Sequence, residues 1–81
     1  MIYIKNMSLL KKGEKAKVKS LCISGNMRRR LLDIGLIRGT EVSCLHESPC
    51  GNPKAYIVRG AIIAIRNEDA SKIVVEYDDE S

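Results

Sequence analysis

The sequence contains no tryptophan and no phenylalanine; its only aromatic side chains are Tyr3, Tyr56 and Tyr77. Proteins that hold single-stranded nucleic acid stack bases on aromatic platforms, and three scattered tyrosines offer little of one, so no nucleic acid is expected. A proline-peptide groove needs an aromatic lining that is also missing. Histidine occurs once, at His46. No Ser/His/Asp or Cys/His set is legible in local sequence, and there is no P-loop or Gly-x-Gly-x-x-Gly phosphate loop. The longest apolar run, Gly60 to Ile65, is strand-sized, far short of the ~18–20 residues that span a bilayer. The start Met1-Ile2-Tyr3-Ile4-Lys5 lacks the basic segment, long apolar stretch and cleavage site of a signal peptide. The expectation is therefore a cytoplasmic chain with no direct membrane insertion. Three cysteines, Cys22, Cys44 and Cys50, are odd in number and irregular in spacing. They do not read as a disulfide framework, and without a Cys-x-x-Cys pair a zinc ribbon or redox site has no support.

What is present fits one small domain. A chain of 81 residues with 44% hydrophobic composition can build a single compact core. It has no room for the second layer that a deep catalytic cleft would need, so the chain is expected not to be an enzyme. Lys15-Ala16-Lys17-Val18-Lys19 alternates with a period of two, the mark of a strand with one wet face. Leu9 and Leu10 precede it and close one end of the core, with Gly13 at the turn. Met27, Leu31 and Ile34 form one apolar stripe at helical spacing. Ser24 or Asn26 can cap that helix, and Gly35 sits where a left-handed residue ends it.

Further strands are expected over Glu41 to Glu47, Ala55 to Arg59, Ala61 to Arg66 and Ile73 to Val75. Gly60 marks a bend between the second and third of these. Asn67 to Ser71 offers a helical turn, and Ser48 to Pro53 is dense in turn-formers. The expected architecture is mainly β: a five-stranded barrel with one inserted helix and a short helical turn, closed so that no edge is exposed. Residues 1–7 are an apolar leader, a possible edge strand; residues 8–76 are the domain; the acidic tail 77–81 is expected to be disordered. Ile2, Tyr3 and Ile4 can pair with another copy, giving a possible homo-oligomer, or lie across their own barrel.

Charge is unevenly spread. Residues 1–40 carry ten Lys and Arg against two acids, and residues 41–81 carry four against eight. Such a field suits a basic face that meets an acidic or phosphate-bearing surface. The sharpest candidate surface is the helix and the turn after it: Arg28, Arg29, Leu32, Leu36, Ile37 and Arg38. Guanidinium forks fit carboxylates, and an exposed apolar anchor would supply affinity. The alternative is that Leu32 and Leu36 belong to the core and the arginines are solvated. Cations near a helix N-terminus oppose its dipole, a placement that hints at use elsewhere. Asp33 reads as an ion-pair partner of Arg29 or Arg30. Cys44-x-His46 places two ligand types on one strand face, with Cys50 nearby, a set that would favour a soft metal such as zinc. The favoured reading is a buried thiol, a polar histidine and a loop cysteine, with no metal site and no cofactor.

The order of these features carries a family resemblance. Lys12-Gly13 and Ala16-x-Val18 are followed by Arg30-Leu31-Leu32-Asp33-Ile34-Gly35-Leu36 and Gly39-Thr40-Glu41-Val42. Then come Pro49-x-Gly51-x-Pro53, Val58-x-Gly60 and Ile63-Ala64-Ile65-Arg66. Over residues 8–76 the chain resembles the FeoA family, ferrous iron transport protein A. Arg38 stands where the family often places proline, and residues 1–6 form a longer leader than most members have. The resemblance implies an SH3-like barrel and an accessory role in ferrous iron uptake. It implies binding to FeoB, the membrane transporter with a GTPase domain, at the inner face of the cell membrane, and modulation of its transport or GTPase cycle. It also admits a regulatory or nucleic-acid-binding module like the C-terminal domain of iron-dependent repressors.

Overall fold

The structure, a computed structural model, describes residues 1–78. Six strands form one antiparallel sheet: β1 (Ile2–Asn6), β2 (Lys15–Leu21), β3 (Glu41–Glu47), β4 (Lys54–Val58), β5 (Ala61–Ile65) and β6 (Ile73–Asp78). A helix, α1 (Gly25–Ile34), joins β2 to β3, and a single helical turn, α2 (Asn67–Ala70), precedes β6. The mainly-β expectation holds, with one strand more than the five read from the sequence. The leader supplies it: Ile2 to Asn6 pair with Asp78 to Val74. Tyr77 and Asp78, expected in a disordered tail, are the β6 side of that pairing; the rest of that tail lies outside the described residues. Hydrogen bonding runs in the order β1-β6-β2-β3-β4-β5, so among the described residues β1 and β5 are edges and the ladder does not close.

The buried residues form one core. Ala16 and Val18 are buried while Lys15, Lys17 and Lys19 are exposed, as a two-residue period requires. They pack with Val42, Cys44, Tyr56, Val58, Ile73 and Val75 from the other strands, and with Leu31 from α1. Leu10 closes one end as expected, whereas Leu9 is exposed. The β4–β5 hairpin turns through Arg59 and Gly60, both with positive φ, 51° and 83°. That is the two-residue turn whose twist matches the strands it joins.

Lys54 is the feature that sequence reading missed. It is only 7% exposed, and its Nζ donates to the carbonyls of Ser8 and Leu10, the latter at 3.0 Å, while lying 3.5 Å from Glu47 Oε1. Beside it, the Tyr56 hydroxyl donates to the Met7 carbonyl at 3.3 Å. A buried ammonium or phenol is tolerable only with such partners. Together they tie β4 to the 3-10 turn Met7–Leu9, and burial pushes the Tyr56 phenol pKa well up.

Candidate protein-docking surface

The helix α1 ends in a tightly determined way. Gly35, at φ 111°, donates to the carbonyl of Leu32 at 3.0 Å, and Leu36 N–H reaches back to Leu31 at 3.0 Å. This is the Schellman arrangement, and its usual apolar contact is supplied by Leu31 and Leu36, both in the core. Thr40 Oγ1 donates to the Gly35 carbonyl at 2.9 Å. Two bonds stitch the next loop to β2: Gly39 N–H to Val18 O at 2.8 Å and Val18 N–H to Thr40 O at 2.9 Å. Arg59 completes the support, because a Cβ on Gly35 would meet its Cδ at 2.5 Å. The arginine stem therefore lies across the helix end where only glycine leaves room.

On this fixed base the predicted surface residues separate. Leu36 is fully buried, which corrects its assignment to a partner surface: the Schellman turn folds it inward as the apolar lock of the helix end. Leu32 and Ile37 are 37% and 47% exposed, so both remain available. Arg28 is exposed, yet its Nη1 donates to the carbonyls of Leu21 (2.9 Å) and Ile23 (3.4 Å). It straps α1 to the end of β2. The Arg29 and Arg38 side chains make no hydrogen bond or salt bridge among the described residues. The same is true of Asp33, so its expected ion pair with Arg29 or Arg30 does not form. Ser24 precedes the helix in extended conformation without a side-chain cap bond, and no acid sits in the first turn. The helix begins at Gly25, earlier than read from the sequence, so Arg28, Arg29 and Arg30 lie in its second turn, where the dipole acts on them only weakly.

The cysteine–histidine set is not brought together. The β3–β4 register shifts between Cys44 and His46, which leaves Leu45 as an extra residue in β3. That bulge breaks the alternation: Cys44 is buried and His46 exposed, with Cys50 exposed in the following loop. Burial raises the Cys44 thiol pKa, the opposite of what a metal-binding thiolate requires. Among the described residues no group of three or more His, Cys, Asp and Glu side chains gathers. No helix among them is long and apolar enough to cross a membrane.

Ile34, read as part of the apolar stripe of the helix, is 37% exposed, and Ile62, which sequence reading passed over, is 66% exposed. A signal existed for Ile62: in an apolar strand at a sheet edge, one side of the alternation must face solvent.

Comparison with known proteins decides the family. The model of the FeoA domain matches residues 5–77. The chain belongs to the FeoA family. This FeoA chain is 30% identical over 70 residues to a fusion of Fe(2+) transport protein A with the Fe(2+) transporter FeoB from Porphyromonas gingivalis; the match covers 86% of the chain and 8% of the fusion protein. The solution structure of FeoA from Chlorobium tepidum is similar at TM-score 0.82 and 36% identity, covering 86% of this chain and 67% of that one. FeoA of Stenotrophomonas maltophilia, solved with zinc and described as an SH3 domain protein, is similar at TM-score 0.76 and 28% identity, over 89% of this chain and 94% of that one. The small SH3-like fold and the link to ferrous iron transport follow from the family.

Proposed function

We propose that this FeoA chain is a non-catalytic accessory protein that docks onto FeoB and tunes its transport or GTPase cycle. Docking uses the outer face of α1 and the loop after it, with Arg29 and Arg38 meeting carboxylates and Leu32 and Ile37 supplying apolar anchors. The observation that carries this reading is the combination of a loop pinned to β2 by backbone hydrogen bonds with unspent side chains. Interface affinity rises when the presenting backbone is already ordered, because less freedom is lost on binding. Arginines that have no partner of their own in the described fold remain free to pair with another chain's acids. The fused relative adds support, since joining two units in one polypeptide raises the effective concentration of each for the other. In this reading the chain works at the cytoplasmic face, recruited to the membrane by its partner. The test is a pull-down with FeoB divided into its cytosolic GTPase domain and its membrane part. Capture of one part by the wild-type chain, lost with Arg29→Glu plus Arg38→Glu, is the expected result. Equal capture by the charge-reversed chain discards this face.

A further inference from the structure

We infer that the free edge of β5 and the facing side of α1 form a groove that takes an extended peptide segment of a partner by strand addition, with an apolar side chain anchored between strand and helix and a carboxylate held by the arginines at the rim. The inference is independent of the docking face proposed above. On a helix of 3.6 residues per turn, Met27, Arg30 and Ile34 share one side, and Arg29 and Leu32 lie on the other.

The backbone supplies the first observation. β5 ends the sheet order, and among the described residues β4 is its only strand neighbour. In a two-residue hairpin the pair flanking the turn, here Val58 and Ala61, exchanges both ladder bonds. Ala61, Ile63 and Ile65 therefore bond to β4, and the backbone groups of Ile62 and Ala64 point outward. No turn, loop or side-chain hydrogen bond among the described residues reaches them. Natural edges are usually guarded by charge, proline or a bulge. Ala61-Ile62-Ile63-Ala64-Ile65 has no charge and no proline, and its pairing with β4 is regular.

The side chains supply the second. The opening between β5 and α1 is walled by Met27 and Ile34 on the helix and Ile63 on the strand. Its charged lining is Arg30, Arg66 and Asp69. Arg30 has no ion pair among the described residues. Arg66 reaches Glu68 at 3.6 Å, with side chains 73% and 71% exposed, and a pair so wet binds weakly. Two guanidinium forks against one groove carboxylate favour a peptide that brings acid of its own. A second copy paired edge to edge would set two positively rimmed grooves against each other, which argues for a different partner. Unpaired ladder positions beside an apolar trough fit an extended segment, which satisfies them with main-chain bonds and reads side chains at alternate positions.

The test selects binders for the whole chain from a random decapeptide library and titrates the best one while following amide resonances. Selected peptides are expected to carry alternating apolar residues and at least one Asp or Glu, and to slow hydrogen exchange at the Ile62 and Ala64 amides. Ala64→Pro removes one outward donor, and Ile34→Asp spoils the apolar wall at a residue 37% exposed, with an unchanged amide spectrum away from the groove as the control that the variant is folded. Each is expected to weaken binding about tenfold, the loss of one interface anchor. N-methylation of the peptide backbone at alternate residues is expected to do the same. Failure to select any peptide overturns the inference. So do peptides that shift other surfaces, undiminished binding by the N-methylated peptide or by Ile34→Asp, and self-association of the chain through the same amides. None of these assays contains FeoB, so their failure leaves the FeoB pull-down standing.

Discussion

Two regions of this domain treat their cations in opposite ways. Around β1 and the 3-10 turn, positive charge is consumed by the fold. Lys54 is buried on two carbonyls and Glu47, and Lys5 reaches Glu14 at 3.3 Å while lying 4.8 Å from the centre of the Tyr77 ring. Around α1 and the following loop, Arg29, Arg30 and Arg38 gain nothing from the described fold. The same charge is structural where it is desolvated and bonded, and free for recognition where the backbone is rigid but the side chain is not engaged. Sequence position does not separate the two cases; burial and partners do.

That contrast is easiest to break at its centre. Leu36→Ala empties a fully buried site beside Leu31, and a loss of about 3 kcal/mol in urea unfolding is expected. A loss below about 1 kcal/mol would return Leu36 to the surface. Lys54→Ala strands the Ser8 and Leu10 carbonyls, with an expected cost of about 2 kcal/mol. An unchanged denaturation midpoint would show that this lysine is not a structural pin. Arg29→Glu with Arg38→Glu sharpens the other side. Stability should stay within about 0.5 kcal/mol of the wild type, as for surface positions without partners. A larger drop would mean that these arginines serve the fold.

Glu14 gives the smallest effect. The Lys11 N–H, donating at 2.7 Å, and then the Lys5 ammonium hold its carboxyl below the ordinary value of 4.5. A lowered folded-state pKa means that the folded protein binds its proton less readily than the unfolded chain does. The contribution is therefore fully present above 4.5 and is lost as the pH falls through the lower folded value. Glu14→Gln should flatten that part of the acid limb of a stability–pH curve. Identical acid limbs in wild type and variant would contradict the assignment.

Much of the fold was legible because local pattern and tertiary demand agreed. Alternating lysines in β2 marked the wet face, and Gly35 marked the helix end, since each choice follows from backbone period or a positive φ. The misses have a common cause. Leu36 stood two residues past the helix, beyond Gly35, where apolar stripe and exposed anchor look alike until the Schellman turn directs the chain. Lys54 fell just outside the expected strand Ala55 to Arg59 and drew no structural reading, because nothing local announces carbonyls from residues more than forty positions away. Cys44 and His46 were two apart and read as neighbours; the bulge at Leu45 is set by pairing with β4. The unclosed sheet belongs to the same class, since strand closure depends on contacts that no single segment encodes.

The most direct test follows the amide resonances of this FeoA chain while the FeoB part captured in the pull-down is added. The account predicts that perturbations concentrate on Arg29, Leu32, Ile37 and Arg38 and vanish in the doubly charge-reversed chain. Perturbations centred on β1 and β6, with residues 28–40 silent, would contradict it.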